Sequence, residues 1–192
     1  KSISIMMDLG GPKIRVKLDQ KIKKLSIKAH QKYTLGAAGC DINVGKKLNF
    51  KSITKNARIK IDDGYLNFKI LNTNQNILHL QALNDGEIKS YKGVNFPGVD
   101  LNLPAVTLQD KQNIIHAIDL EVDWIAQSFV RSASNILPIQ RILSKYNFNI
   151  PIIAKIEKPE AINNLDAIIK KYDGVLIARG DLGVEMNLSE LP

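Results

Sequence analysis

From residue 99 onward the chain switches regularly between helical and strand periodicity, with short joints, and this alternation limits its possible folds more than any other feature. "LPAVTLQDKQNIIHAID" has helical period, "VDWIAQSFV" reads as a strand, "SASNILPIQRILSKY" as a helix and "IPIIAKIE" as a strand. "KPEAINNLDAIIKKY" then reads as a helix and "GVLIARGD" as a strand. Strands joined through helices run parallel in one sheet. Thr107 and Asp110 stand three apart at the first helix start, the spacing of a capping box with Asp in place of the usual Glu or Gln. Pro138 fits its helix only in the first turn, and Pro159 lies near the start of the next. An earlier apolar run, "SISIMMD" at residues 2–8, reads as one more strand before the breaker "LGGP".

The strand ends carry polar groups: Asp8, then Ser128 and Arg131, then Lys155 and Glu157, then Arg179 and Asp181. Lys155 and Glu157 are two apart and so leave one face of an otherwise apolar strand. Polar groups gathered at the C-terminal ends of successive parallel strands are how a (β/α)8 barrel builds its site. Between residues 12 and 98 the period is two instead, as in "KIRVKL", "KLSIKA" and "NILHLQAL", with "DDG" and "NDG" turns. The expected fold is α/β: part of a (β/α)8 TIM-type barrel formed by residues 1–11 and 99–192, with an all-β domain inserted at 12–98. A whole barrel takes about 250 residues, so only part of one is expected.

The net charge of +8 raises the question of nucleic acid. Much of the lysine lies between Lys13 and Lys60, alternating with apolar residues as on the wet face of a half-buried sheet. Interleaved aromatics, helix-turn-helix and zinc spacings are missing, so no nucleic-acid partner is expected. No apolar run approaches the roughly 18–20 residues of a membrane span, and no membrane partner is expected. The single cysteine, Cys40, cannot form an internal disulfide and is expected to be an inert thiol; a cytoplasmic location follows by default.

Glu157 and Asp181, on successive strand ends, could share one hard divalent cation. Mg2+ takes one or two protein carboxylates and fills its octahedron with water and phosphate oxygens. Lys155 beside them could neutralise a phosphoryl group or an enolate oxygen, although the same spacing fits a plain surface ion pair. Gly180 allows close backbone approach, and the N–H groups around Gly180 and Asp181 could hold a carboxylate; "RGD" alone is equally an ordinary turn.

"IIAKIEKPEAINNLDAII" followed by "YDGVLIARGDLGVEM" closely resembles the central signature of the pyruvate kinase family. "MMDLGGPKIRV", "IDDGYL", "YKGVNFPGVDLNLPAVTLQD" and "VDWIAQSFVRSASNI" match it in the same order, so the resemblance covers essentially the whole chain. It implies transfer of the phosphoryl group of phosphoenolpyruvate to ADP, giving ATP and, after protonation of the enolate, pyruvate. It makes Lys155 the catalytic lysine at the phosphoryl group and enolate, and Glu157 and Asp181 the Mg2+ ligands. Gly180 and Asp181 hold the substrate carboxylate through their amides, Arg15 and Lys92 contact the nucleotide, and residues 12–98 become a lid over it. Asp63 matches a lid aspartate but is as readily a hairpin-turn residue; Ser128 and Arg131 line the barrel mouth without an assigned role. The resemblance also implies a homo-oligomeric parent, a tetramer.

Two departures matter. Several family residues and the remaining barrel strands would lie before Lys1 or after Pro192, so the chain is expected to be an incomplete piece, inactive alone. Many members hold K+ partly through the aspartate at Asp8 and the carbonyl of the next residue, here Leu9, with a glutamate where this chain has Lys13. A lysine ammonium is a fixed monovalent charge, so K+ is not expected to be required. The competing readings are another Mg2+-dependent barrel lyase acting on phosphoenolpyruvate or pyruvate, and a nucleotide-binding fragment without chemistry.

Overall fold

A computed structural model describes residues 3–74, 76–186 and 188–191. The chain divides into two compact units, Lys1–Pro12 with Leu103–Pro192, and Lys13–Asn102. The joints thus fall after Pro12 and Asn102, against the expected 11 and 98.

Described structure begins with β1 (Met6–Leu9) of the first unit. The second unit follows with β2 (Ile14–Arg15), β3 (Leu25–Ile27), β4 (Lys32–Gly36), β5 (Ile42–Asn43) and β6 (Arg58–Ile61). It continues through β7 (Leu66–Asn74), β8 (Ile77–Ala82), β9 (Gly86–Ile88) and β10 (Gly93–Asn95). Seven of these strands form one sheet in the order β2-β10-β6-β7-β8-β4-β5, and β3 pairs with β9. Period-two alternation decides which face is dry: Ile59 and Ile61, Phe68 and Ile70, Leu78 and Leu80 are fully buried on neighbouring strands. The lysines between them, Lys60 and Lys69, stay partly in water. Phe50 stacks on Phe96 to close one end of this core.

The first unit resumes with α1 (Leu108–Asp119), β11 (Trp124–Gln127), α2 (Leu137–Lys145) and β12 (Ile152–Ile156). It ends with α3 (Pro159–Asn163), α4 (Leu165–Ile169), β13 (Gly174–Ile177), α5 (Arg179–Glu185) and a short 3-10 turn. Its four strands are parallel, in the order β1-β11-β12-β13, so their C-terminal ends share one edge. The sequential strand order and intervening helices are those of a partial (β/α)8 barrel. One face carries Leu9, Ile125, Ile152, Ala154 and Ile156 into a core with Ile114, Ile118, Ile139, Leu143 and Ile168 from the helices. The opposite face carries Asp8 and Lys155. The capping box forms as read: Thr107 accepts from the Asp110 N–H, and Asp110 answers the Thr107 N–H. Pro138 lies in the first turn of α2, which a 3-10 turn at Ala133–Ile136 precedes.

Two elements differ from the reading of the sequence. The helix expected over "KPEAINNLDAIIKKY" breaks at Asn164, whose side-chain amide donates to the carbonyls of Glu160 and Arg131 (3.0 and 2.9 Å). A short polar side chain that competes for backbone carbonyls interrupts a helix this way. The strand expected over "GVLIARGD" stops at Ile177, and Arg179, Gly180 and Asp181 begin α5 instead. No helix among the described residues is long and apolar enough to cross a membrane.

Candidate functional site

Lys155 stands on the face of β12 opposite the core, where residues before and after it, Ala154 and Ile156, are buried. Its ammonium is gripped by three neighbours. Nζ lies 3.1 and 3.0 Å from the two Asp8 carboxylate oxygens, 3.0 Å from Ser128 Oγ and 3.0 Å from Glu157 Oε1. Asp8 comes from β1, Ser128 from the residue after β11 and Glu157 from just past β12, so parallel pairing delivers all of them to one edge. Burial works against the Lys155 charge, but the Glu157 charge and the bonds to Asp8 and Glu157 outweigh it and raise its pKa above 10.5. The lysine is therefore a fixed cation at any physiological pH.

Glu157 is almost wholly buried, its side chain only 3% exposed. Burial raises its pKa above the ordinary 4.5; Lys155 and the Phe129 N–H oppose that rise, and the Asp181 charge adds to it. Its two oxygens are held separately: Oε1 by Lys155, and Oε2 by the backbone N–H of Phe129 at 2.9 Å. Asp181, in the first turn of α5, is close enough for its charge to be felt at Glu157. Two carboxylates that repel one another beside a buried position make a donor set suited to a hard divalent ion. Among the described residues no group of three or more His, Cys, Asp or Glu side chains could hold a metal, so such an ion would draw its other ligands from water and substrate.

The supports of this edge are visible too. Lys158, directly after Glu157, pairs at 2.7 Å with Glu185, the last residue of α5 and one turn beyond Asp181. Tyr172 donates its buried hydroxyl to Gln127 Oε1 at 2.8 Å, and burial raises the phenol pKa. Gln127 Nε2 in turn reaches the carbonyl of Asn135 at 2.9 Å, which fixes the chain leading to Ser128. Arg131 donates from Nη2 to the Leu103 carbonyl at 2.6 Å and from its N–H to Asn135, tying the loop after β11 in place.

The other sequence-derived residues lie as follows. Gly180 shares the first turn of α5 with Asp181. Leu9 sends its side chain into the core, 1% exposed. Arg15 and Lys92 are brought together in the all-β unit: Arg15 pairs in register with Gly93, and its Nη1 donates to the Tyr91 carbonyl at 2.9 Å. Lys92 pairs with Asp62 at 2.7 Å, and that hydrogen bond and charge raise its pKa. Asp63 sits in the turn after β6 with φ +52°. Lys13 lies across Gly93, where an added Cβ would come 3.2 Å from the flexible Lys13 Cε. Nothing in the local sequence signals the Phe129 amide, the Lys158–Glu185 pair or the Tyr172–Gln127 bond, each joining residues 27 or more apart. The aspartate in the capping box is a visible oddity of the sequence, and it also serves elsewhere, since Asp110 Oδ1 accepts the Gly11 N–H at 3.2 Å.

The whole chain, residues 1–192, matches the family model described as pyruvate kinase, barrel domain. Pyruvate kinase 2 of Synechocystis sp. is 37% identical to it over 99% of this chain and 34% of that protein. Pyruvate kinase of Clostridium perfringens is 35% identical over 98% and 41%, and pyruvate kinase 1 of Saccharomyces cerevisiae 36% identical over 98% and 40%. The chain therefore spans well under half the length of these curated relatives.

Proposed function

The chain belongs to the pyruvate kinase family, a family of metal-dependent enzymes, and from that premise we propose that the protein carrying it moves the phosphoryl group of phosphoenolpyruvate to ADP, yielding pyruvate and ATP in glycolysis. The observation that supports this most is Lys155: a lysine 16% exposed, kept charged by Asp8, Ser128 and Glu157, at the edge where parallel strands end. Phosphoryl transfer needs positioning and neutralisation of spread negative charge more than it needs a protein nucleophile. Lys155 places its ammonium against the transferring group and then against the enolate oxygen as charge collects there. Asp8 and Ser128 hold that ammonium in place, and the amides of Gly180 and Asp181 orient the substrate carboxylate.

Glu157 and Asp181 would hold Mg2+, which when bound supplies further positive charge to the phosphate oxygens. Their fit to it rests on the chemistry of the donors, a buried carboxylate at the end of β12 and a second in the first turn of α5. Arg15 and Lys92 contact ADP from the all-β unit, residues 12–98 acting as the nucleotide lid. Lys13 supplies the monovalent charge that other members take from K+ near the Asp8 and Leu9 position, so K+ is dispensable. The working protein is a cytoplasmic homotetramer. The 192-residue piece taken alone is inactive, because among the described residues β1 and β13 are the edge strands of a four-stranded sheet and not members of a closed barrel.

The test is a coupled assay of the whole protein with phosphoenolpyruvate, ADP and Mg2+. Pyruvate and ATP should form together; nucleotide binding without any pyruvate would leave only the non-catalytic reading.

A further inference from the structure

Phe129, the second residue after β11, has φ +57°, the left-handed region that bulky side chains avoid. It is buried, 9% exposed, and its N–H points at Glu157 Oε2 from 2.9 Å. Gly11, itself at φ +63°, lies so close that an added Cβ would meet the Phe129 ring at 2.9 Å and the Ser128 backbone oxygen at 3.2 Å. Gly11 is in turn anchored to the buried carboxylate of Asp110. Strain of this kind persists where the surroundings over-determine it, and it clusters at functional sites.

Its use follows from charge. Glu157 and Asp181 repel one another, yet sharing a cation requires both to face it. With Oε1 held by Lys155 alone, Glu157 would be free to swing toward the lysine and away from Asp181. A backbone amide cannot rotate as a side-chain donor does, so its bond to Oε2 fixes the carboxylate plane. We propose that Phe129 is a positioning residue: its left-handed backbone aims an amide that holds Glu157 turned for divalent-cation binding, in a chain of support from Asp110 through Gly11. The inference rests on the metal reading of Glu157 and Asp181 and deepens it.

The experiment titrates Mn2+, followed by electron paramagnetic resonance, into the whole protein without substrate. The proteins compared are wild type, Phe129→Gly, Phe129→Asn, Phe129→Val and Glu157→Gln. Glycine and asparagine adopt the left-handed region readily, whereas a β-branched residue does not. Affinity should therefore stay near wild type for Phe129→Gly and Phe129→Asn and weaken about tenfold or more for Phe129→Val. Packing alone requires the reverse order, because valine replaces more of the buried ring than glycine does. Phe129→Val binding as tightly as Phe129→Gly overturns the inference. A wild type that binds no Mn2+, or a Glu157→Gln that binds it undiminished, instead overturns the metal reading beneath it. Should Phe129→Val not fold, replacing residue 129 by its α-hydroxy acid deletes the N–H and keeps the ring. That change should give the same loss of affinity, and unchanged affinity would overturn the inference.

Discussion

Substituting Lys158 by methionine tests how α5 is held against the site. The helix has seven residues, too few to be stable on its own, so its position depends on tertiary anchors. One anchor is apolar: Leu182 and Val184 are buried. The other is the Lys158–Glu185 pair at 2.7 Å, with side-chain exposures of 18% and 1%. Removing one member of a buried pair costs about 3–5 kcal/mol because the remaining charge stays out of water, and the partial exposure of Lys158 favours the low end. About 3 kcal/mol corresponds to about a hundredfold increase in the open population of this segment. The cost should appear locally in amide hydrogen exchange. The Leu182 and Met186 N–H groups, which donate to Ala178 and Leu182 at 3.0 and 2.9 Å, should lose about two decades of protection. The Tyr172 N–H, bonded to Ile168 at 3.0 Å in the preceding helical segment, should be unaffected. Adding Glu185→Leu to Lys158→Met should restore most of the loss, because the buried carboxylate that lost its lysine is then gone as well. Unchanged protection at Leu182 and Met186 in the single variant would refute the role given to the pair.

Three further outcomes follow from the same structure. Tyr172→Phe deletes a buried hydroxyl bonded to Gln127 and should cost about 1–3 kcal/mol, read as a lower thermal midpoint; an equal midpoint would show that Gln127 does not depend on it. Because burial raises the Glu157 pKa above 4.5, protons should compete with a divalent ion there at higher pH than at an ordinary glutamate. Mn2+ affinity of the whole protein should therefore begin to decline on acidification at a higher pH than protonation of an ordinary glutamate requires, and a decline that matches an ordinary glutamate would contradict the burial effect. Activity at matched ionic strength should be nearly equal in Na+, K+ or a bulky organic cation, and Lys13→Glu should create a K+ requirement; many-fold activation of the unaltered protein by K+ would remove Lys13 from that role.

The parallel sheet and the character of its ends were legible in the sequence because both follow from local periodicity. Lys155 and Glu157 are two apart in an apolar run, and that spacing alone sets them on one face. The all-β unit was readable for the same reason, through its lysine-apolar alternation. Asn164 shows the limit: its helical surroundings suggest continuity, whereas its side-chain amide donates both to the Glu160 carbonyl and to the Arg131 carbonyl 33 residues away, which no local pattern signals. "ARGD" reads as strand because apolar residues precede it, but the first turn of α5 begins there. The left-handed backbone of Phe129 had no sequence signal at all, since a bulky aromatic residue gives no local hint of it and its neighbours there, Gly11 and Glu157, come from distant segments. Contacts of that range are set by the fold as a whole, which periodicity cannot register.

The role proposed for Lys155 is to act on charge developing during phosphoryl transfer, beyond its ion pairs with Asp8 and Glu157. The most direct test measures kcat and Mn2+ affinity side by side in the whole protein for wild type and Lys155→Met. Losing a group that stabilises transition-state charge costs about 10²–10³ in rate, so kcat should fall by that factor while Mn2+ affinity changes far less. A Lys155→Met protein with kcat near wild type would contradict that role.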